Sequence, residues 1–590
     1  MSFHPNDIQR RGVAATAAIL VAMTALGSAF FRAQVLDDAA YRLSSERNRL
    51  RQVPLPAARG VIYDRHGEII AENVPGYSVS ILGASSDSLR STLVALTRIL
   101  PLSEGEVNRA VQRFRNDPNR PTVILSDASY DQVAILEEHR VEFPSLIIQS
   151  APKRYYPDGP AVAAFTGYTG QIRDTELGNE AFEGYKSGQE IGRSGLERQY
   201  ETELRGREGS RFVEVDARGR VVRDGADRDF DAPVSGQALK TNIDLDLQRF
   251  IANYLGDTLV AGVVALEPKT GAVLALHSSP SFDPNRFIGG IQQDYWDELN
   301  ADKVRLPLYN KAMQGRYAPA STFKLATAAL ALQDGLVDFD SRMPRPCTGG
   351  YVYGSRSWGC WDKGGHGSVT LSEAIAKSCD VYFYQLGLRM SLSRLLAGGV
   401  SLKMGERSGI DLPSEMRPLW PASTAYLDST FGRGNWSNGE TLNLSIGQGA
   451  NSQTVLNMAR FYTALATDGF AAKPEVVARS PERIQILKLS PAQFAGLRAA
   501  MGDVVSGRGT AGSAAIEGVQ LAGKTGTAQN ETSRDHAWFV GMAPQDDPKI
   551  VVAVMLWQGE HGYAAARIAS KIISHFFKRP AIDPANVVGN

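Results

Sequence analysis

Three short motifs carry side chains that could together perform nucleophilic acyl transfer. In chain order they are Ser321-Thr322-Phe323-Lys324, Ser378-Cys379-Asp380 and Lys524-Thr525-Gly526. Each pattern is a weak signal alone, because such short patterns occur by chance in many proteins. The three together, in this order, indicate a serine nucleophile that is activated by a lysine. The alternative is that Ser321 only caps a helix and Lys324 is only a solvated helix residue.

The spacing of the first motif fits such an activation. Ser321 follows Pro319 and Ala320 at the predicted start of a helix, where the positive end of the helix dipole favours a developing anion. Lys324 lies one turn further along on the same face, within reach of the hydroxyl. Its amine can accept the serine proton if burial and the charge of Lys524 favour the neutral form.

The middle motif and two backbone groups complete the predicted transfers of proton and charge. We expect Ser378 to relay a proton toward the leaving group, and Asp380 to order the lysine and the substrate peptide. The backbone N–H groups of Ser321 and Thr527 are expected to form an oxyanion hole, in which each donor contributes roughly 3–4 kcal/mol.

The third motif is predicted to hold the substrate. Lys524, on an edge strand, attracts a substrate carboxylate, and the hydroxyls of Thr525 and Thr527 hydrogen-bond it. Gly526 has no side chain and lets the substrate backbone approach that strand.

The three cysteines of the chain, Cys347, Cys360 and Cys379, lie in one segment with His366 among them. The pattern C-x12-C-x5-H-x12-C supplies a Cys3His set suited to a tetrahedral zinc ion, whose four protein ligands imply a structural role. The alternative is a Cys347–Cys360 disulfide with Cys379 as a buried thiol, in an oxidising compartment. The odd number of cysteines favours zinc.

The elements that must position these motifs follow a simple order. Helices are predicted at residues 245–255, 321–333 and 564–577, a hairpin at 259–276 with its turn at 267–271, and strands at 521–528, 537–542 and 550–557. Strands first, helices in the middle and strands last predict an α/β (α+β) fold, in which an antiparallel sheet is sandwiched by helices.

The composition is that of a globular protein with more than one domain. The chain has 590 residues, of which 43% are hydrophobic and 21% charged. Its 63 basic residues balance 63 acidic ones, so no excess of positive charge suggests nucleic-acid binding.

One segment near the N-terminus could cross a membrane. Residues 12–31 carry no charge and follow Arg10 and Arg11. Twenty helical residues span a hydrocarbon core of about 30 Å, and the basic pair should stay cytoplasmic. A cleaved signal peptide ending near Gly27-Ser28-Ala29 is the alternative, although its apolar core would be longer than usual.

The domain organisation follows from these features. We predict a cytoplasmic tail at residues 1–11, a transmembrane helix at 12–31, an elongated non-catalytic pedestal at 33–235 and a catalytic domain at 236–590, with a linker at 231–236.

With these motifs the sequence resembles the class B penicillin-binding proteins over nearly its whole length, and most of all the elongation-specific type, penicillin-binding protein 2. The resemblance is carried by S-E-R-N at 45–48, R-G-V-I-Y-D-R at 59–65, G-L-E-R-Q-Y-E at 195–201, K-T-G-T-A-Q at 524–529 and H-A-W-F-V-G at 536–541. Asp380 stands where septal relatives usually have asparagine. Ala320 departs from the family, which commonly has glycine before the nucleophile.

The resemblance implies a penicillin-binding transpeptidase fold and a peptidoglycan D,D-transpeptidase that β-lactams inhibit. Ser321 would form an acyl-enzyme with a stem peptide ending in D-Ala-D-Ala and pass it to an amine on a neighbouring stem. The resemblance also implies no cofactor for catalysis, and a metal site near the cysteines with mixed Asp, His and Cys ligands.

Partners and location are implied in the same way. The chain would be anchored by one span in the inner membrane, with a periplasmic catalytic domain. It would act on nascent lipid-linked glycan supplied by the SEDS glycosyltransferase RodA, and contact RodA and MreC. The alternatives are a septal transpeptidase, a β-lactamase-like enzyme or sensor, and a structural activator of the glycosyltransferase.

Overall fold

The computed structural model describes residues 5–37, 50–216, 221–224, 230–506, 509–529 and 534–578. The S-E-R-N segment at 45–48 lies outside these ranges. The first helix, α1 (Pro5–Phe31), continues into a π-helical turn at Arg32–Leu36. Within the described part of the chain, residues 9–36 form the one helix long and apolar enough to cross a membrane, and no part of its most apolar stretch is buried. This helix is a candidate membrane anchor and contains the predicted span.

The pedestal is built from short sheets and helices. Its strands are β1 (Leu50–Leu55), β2 (Ile62–Tyr63), β3 (Ile69–Ile81), β4 (Thr122–Ala128), β5 (Leu146–Tyr155), β6 (Thr169–Gln171), β7 (Glu190–Gly192), β8 (Gly209–Val215), β9 (Val221–Asp224) and β10 (Leu239–Lys240). Its helices are α2 (Ser86–Leu96), α3 (Glu104–Asn116), α4 (Tyr130–Glu138), α5 (Ala163–Thr166), α6 (Gly195–Gln199) and α7 (Glu201–Leu204). The long strand β3 pairs with β2, β4 and β5, and β1, β8 and β9 form a second sheet.

Two of the sequence segments that carry the family resemblance meet inside the pedestal. The Arg59 guanidinium lies 2.8 Å from carboxylate oxygens of both Glu197 and Glu201. Glu197 is fully buried and also accepts from Arg154 at 2.6 Å and from the Tyr156 hydroxyl at 3.1 Å. A buried carboxylate needs such partners, so this network fixes residues far apart in the chain against each other.

The predicted linker at 231–236 is held against the pedestal. Asp231 and Val234 form antiparallel bridges with Ser210 and Arg207. The following strand, β10, pairs in parallel with β2 and so extends a pedestal sheet into the region predicted as catalytic domain. The connection between the two parts is therefore structured.

The domain predicted to be catalytic, called the catalytic domain below, contains the remaining elements. Its strands are β11 (Ala261–Leu266), β12 (Val273–Ser279), β13 (Gly350–Tyr353), β14 (Arg356–Gly359), β15 (Phe470–Ala472), β16 (Arg483–Gln485), β17 (Ala522–Ala528), β18 (His536–Ala543) and β19 (Ile550–Leu556). Its helices are α8 (Leu245–Leu255), α9 (Gln293–Ala301), α10 (Lys324–Gln333), α11 (Leu371–Ala376), α12 (Asp380–Met390), α13 (Leu392–Ser401), α14 (Thr424–Phe431), α15 (Gly439–Ser445), α16 (Val455–Ala466), α17 (Pro491–Val505) and α18 (Gly562–Phe577).

The catalytic domain is organised around one antiparallel five-stranded sheet of order β12-β11-β19-β18-β17. Every residue of β18 and β19 is buried, which requires cover on both faces of the sheet. Helices α8, α16 and α18 pack against it. The predicted antiparallel sheet sandwiched by helices is therefore confirmed, and β17, which carries Lys524, is an edge strand as expected.

Candidate active site

The serine of the first motif lies on a tight turn rather than inside the α-helix. Residues Ala320–Phe323 form a 3-10 turn, and α10 begins only at Lys324. Ser321 is half-buried, and Ala320 before it is buried with a φ of 49°. An L-residue in this left-handed region is strained by about 1–2 kcal/mol, which gives the physical reason why glycine is common there in the family.

Two glycines allow the neighbouring elements to pack against this turn. A Cβ at Gly447 would lie 2.3 Å from the Ala320 carbonyl oxygen, so only glycine fits there. The N–H of Ala320 in turn donates to the Gly447 carbonyl at 2.9 Å. A Cβ at Gly526 would lie 3.0 Å from the Pro319 carbonyl oxygen. Gly526 therefore lets β17 approach the turn that carries Ser321. The space at Gly526 thus serves the packing of the protein itself as well as the predicted approach of the substrate.

The lysine of the first motif is fully buried and binds the second motif. Lys324 Nζ donates to Asp380 Oδ1 at 2.7 Å, to the Ser378 carbonyl at 2.9 Å and to Ser378 Oγ at 3.2 Å. The predicted ordering of Lys324 by Asp380 is thus present in the structure. Three acceptors around one ammonium group hold it in a single position beside the helical turn that begins at Ser321.

The backbone conformation of the second motif places these acceptors around Lys324. Ser378 has a φ of 54° and ends the turn after α11, and Asp380 is the first residue of α12. The left-handed conformation of Ser378 directs both its carbonyl and its hydroxyl oxygen toward Lys324 Nζ. Because non-glycine residues rarely adopt such a φ, the conformation points to a functional role.

The third motif brings a second buried lysine to the same place. Burial, followed by the charge of Lys324, holds the pKa of Lys524 well below its usual range, and Asp380 opposes this shift. Its Nζ donates to the Thr525 carbonyl at 3.2 Å. A substrate carboxylate placed against Lys524 would favour the charged form, so the predicted carboxylate site is chemically sound.

The two threonine hydroxyls of this strand have protein partners. Thr525 Oγ1 lies 2.6 Å from Thr510 Oγ1, and Thr527 Oγ1 accepts the N–H of Gly562 at 3.3 Å. A hydroxyl can both donate and accept, so each retains capacity for a substrate oxygen. Their roles in binding, and that of the Ser321 and Thr527 N–H groups as an oxyanion hole, stay predictions.

The four predicted zinc ligands lie together beside the second motif. The ligand atoms of Cys347, Cys360, His366 and Cys379 all lie within 4.8 Å of one another. His366 Nδ1 is 3.6 Å from the sulfur atoms of both Cys347 and Cys360. All three cysteines are free thiols, so the alternative disulfide is not formed in this structure.

The surroundings of the cluster also fit a metal ion. His366 Nε2 is buried without a hydrogen-bond partner, and the nearest carboxylate, that of Asp362, is 3.9 Å away. A histidine that binds metal through Nδ1 commonly directs its other nitrogen toward such a carboxylate. Three sulfurs and one imidazole nitrogen are the ligands that a structural zinc site uses.

The sequence interpretation missed some residues of the site. Gln448 Nε2 lies 3.5 Å from the Thr527 carbonyl, and Gly447 beside it contacts the nucleophile turn. The G-Q-G pattern at 447–449, two glycines around a polar residue next to a helix end, is a signal that could have identified them. Thr510 contacts the third motif and Trp361 contacts the second. Neither residue belongs to a sequence pattern that would have identified it.

Comparison with known proteins matches each of the two domains to a family model. Residues 261–574 match the penicillin binding protein transpeptidase domain, and residues 54–241 match the penicillin-binding protein dimerisation domain. The first match includes all three motifs and the four candidate zinc ligands, and the second includes most of the pedestal.

Similar proteins extend the likeness over nearly the whole chain. The peptidoglycan D,D-transpeptidase MrdA of Acinetobacter baumannii is 33% identical over 601 residues, covering 96% of this chain and 88% of the relative. Penicillin-binding protein 2 of Helicobacter pylori, solved in complex with MreC, has a TM-score of 0.78 at 26% identity and covers 90% of this chain and 99% of its own. A chain of a peptidoglycan synthase complex that coordinates polymerization and crosslinking has a TM-score of 0.69 at 28% identity. The match covers 97% of this chain and 99% of that one.

Proposed function

Because the chain belongs to the class B penicillin-binding proteins, as a peptidoglycan D,D-transpeptidase of the penicillin-binding protein 2 type, we propose that Ser321 is its nucleophile. The observation that carries this assignment is the position of Lys324. Its buried ammonium is held by Ser378 and Asp380, one helical turn from Ser321 and beside Lys524. A serine in this setting can be deprotonated and can attack an amide carbonyl.

The reaction then proceeds in two transfers. In the first, the ammonium of Lys324 has released a proton to solvent, Ser321 Oγ attacks the carbonyl of the penultimate D-Ala of a donor stem peptide, and the resulting amine of Lys324 takes the serine proton. The tetrahedral intermediate places its oxyanion against the N–H groups of Ser321 and Thr527. The C–N bond breaks, Ser378 relays the proton held by Lys324 to the leaving nitrogen, and the terminal D-Ala departs, which leaves Lys324 as a neutral amine again.

The second transfer releases the product. The amine of a neighbouring stem peptide attacks the acyl-enzyme ester and loses a proton to Lys324. The ester bond breaks, Ser321 regains its proton, and a new amide links the two stems. Lys524 and the hydroxyls of Thr525 and Thr527 hold the donor carboxylate during the first transfer.

A donor–acceptor exchange assay tests this proposal. The full chain in detergent is given a synthetic peptide ending in D-Ala-D-Ala, with a free D-amino acid as acceptor amine. We expect release of D-alanine together with a peptide in which the acceptor replaces it, and some hydrolysis in parallel. Chromatography with mass spectrometry measures both products. Hydrolysis without any exchange product would contradict the transfer step.

We propose that Cys347, Cys360, His366 and Cys379 hold a structural zinc ion. What supports this is the convergence of three sulfurs and one imidazole nitrogen, together with the unpartnered Nε2 of His366. Bound zinc would hold the four side chains together and take no part in the reaction, since four protein ligands leave no open position. It would fix the segment around Cys379, which lies between Ser378 and Asp380.

Metal removal should therefore destabilise the catalytic domain. We expect about one zinc per chain by elemental analysis, and a melting temperature lowered by about 5–10 °C after chelation, since a structural site contributes several kcal/mol. His366→Ala is the matched variant and should lose zinc with all three thiols free. A zinc-free protein with one reactive thiol after denaturation would show a disulfide instead.

We propose that α1 anchors the chain in the inner membrane, with the tail before residue 12 in the cytoplasm and the catalytic domain in the periplasm. The apolar, unburied helix at residues 9–36 and the basic residues Arg10 and Arg11 support this topology. Sequencing the N-terminus of the membrane-extracted protein distinguishes the alternatives. A mature N-terminus after Ala29 would mean a cleaved signal peptide.

We propose that the pedestal contacts MreC and that RodA supplies the lipid-linked glycan strand. The likeness to a penicillin-binding protein 2 chain solved in complex with MreC supports the first partner, and the likeness to one chain of a peptidoglycan synthase complex supports the second. Co-purification of the tagged full chain with each partner is the test. Failure to retain MreC at micromolar concentrations would contradict the first contact.

A further inference from the structure

Trp361 makes two hydrogen bonds to the segment that carries the second motif. Its backbone N–H donates to Asp380 Oδ2 at 3.1 Å, and its indole Nε1–H donates to the Lys377 carbonyl at 3.0 Å. The residue is nevertheless 58% exposed. A large aromatic side chain at the surface gains little from burial, so its fixed placement calls for another explanation.

The two acceptors of Trp361 flank the groups that hold the lysine. Asp380 accepts a hydrogen bond on each of its carboxylate oxygens. The backbone N–H of Trp361 donates to Oδ2 at 3.1 Å, and Lys324 Nζ donates to Oδ1 at 2.7 Å. Lys377 directly precedes Ser378, whose carbonyl and hydroxyl oxygens accept from the same Nζ. Trp361 therefore contacts Asp380 and the residue before Ser378, and Asp380 and Ser378 are the two residues that position Lys324.

Trp361 is itself held by the surrounding strands. Its ring packs against that of His366, with 5.3 Å between the ring centroids. The preceding residue, Cys360, donates its N–H to the Gly349 carbonyl at 2.9 Å, and the Gly359 carbonyl accepts the Tyr384 hydroxyl at 3.0 Å. The residues between the β13–β14 hairpin and Trp361 are thus held in place, and with them the two N–H groups that Trp361 donates.

We propose that Trp361 is a positioning residue that keeps Ser378 and Asp380 in the conformation that orients Lys324 toward Ser321. This inference rests on the proposed function, because it assigns Lys324 as the base. Ser378 has a strained φ of 54°, so its conformation needs support from outside its own segment. The indole N–H supplies that support at the carbonyl of the preceding residue.

The consequence is a kinetic one. Without the indole N–H, the Lys377 carbonyl loses its partner and Ser378 can relax toward an unstrained conformation. Lys324 then loses its alignment, while the carboxylate site at Lys524 on β17 is unaffected. Transfer rates depend steeply on such alignment, whereas substrate binding does not.

Trp361→Phe tests the proposal, because it keeps an aromatic ring and the backbone N–H but removes the indole N–H. Stopped-flow measurement of penicillin acylation on the full chain separates the acylation rate constant from the dissociation constant of the non-covalent complex. We expect the rate constant to fall about tenfold, the size of one lost hydrogen bond, with the dissociation constant within about twofold. The melting temperature should change by no more than about 2 °C.

Trp296→Phe is the matched control. Trp296 lies on α9, is 40% exposed and accepts at its carbonyl from Asn300 Nδ2, and among the described residues it has no hydrogen bond to the three motifs, so its replacement should leave both constants unchanged. An unchanged acylation rate in Trp361→Phe would overturn the proposal. A parallel fall of rate, binding and melting temperature would also overturn it, by showing a merely structural role. Failure of the wild-type chain to be acylated at Ser321 would instead overturn the proposed function.

Discussion

Replacing Ser321 by alanine is expected to abolish covalent labelling by penicillin, with a loss of about 10⁴-fold or more in the acylation rate. The substitution removes the oxygen that forms the ester in the proposed mechanism. The side chain is half-buried on the 3-10 turn, so stability should change by only about 0.5 kcal/mol. Fluorescent penicillin on a gel measures the labelling, and thermal unfolding measures stability.

A serine at the other end of the sheet provides the control. Ser281 follows β12, the strand at the opposite edge from β17, and its hydroxyl donates to the Pro160 carbonyl. Ser281→Ala should be labelled at the wild-type rate. Labelling that persists in Ser321→Ala at more than about one-hundredth of the wild-type rate would assign the nucleophile to another residue.

Replacing Lys324 by methionine is expected to lower both acylation and stability. Loss of the general base should reduce the acylation rate by about 10²–10⁴-fold. It also leaves the mostly buried Asp380 carboxylate without its cation, which should destabilise the fold by about 3–5 kcal/mol. Acylation kinetics and chemical denaturation measure the two effects separately.

Another buried lysine shows whether the loss is specific. Lys311 is 2% exposed, and its Nζ donates to the carbonyls of Leu306 and Tyr309, away from the three motifs. Lys311→Met should therefore leave the acylation rate of the folded protein near that of the wild type. Equal kinetic losses in Lys311→Met and Lys324→Met would show that only stability is being measured.

Much of the fold could be predicted because hydrophobic pattern and turn residues decide it locally. The helix at 245–255 is observed at Leu245–Leu255, and the three C-terminal strands agree to within two residues. The Pro and Gly residues of the turn at 267–271 marked the β11–β12 hairpin in the same way. These features depend on neighbouring residues alone.

The sequence predicted which residues come together at the site, but it did not predict the local backbone geometry there. Sequence spacing identified Lys324, Asp380 and the four candidate zinc ligands, and the structure brings each set together. The predicted helix start at Ser321 proved to be a 3-10 turn, which begins at Ala320 with a left-handed φ and lies in close contact with Gly447.

Contacts between distant segments could not be read from either pattern or spacing. The bonds from Trp361 to Lys377 and Asp380 depend on how a hairpin returns to a helix turn. The pairing of β10 with β2 depends in the same way on two strands that lie nearly 180 residues apart in the chain. Such contacts are set by tertiary packing, which a single sequence does not display.

The position of the acyl group on the penicillin-treated chain tests the central claim most directly. Trypsin cleaves after Arg316 and Lys324, so Ser321 lies on a peptide of residues 317–324, and Ser378 lies on a separate peptide of residues 378–389. Mass spectrometry of the digest should find the penicilloyl mass on residues 317–324, at Ser321. The same mass on residues 378–389 would make Ser378 the nucleophile and contradict the roles assigned to both serines.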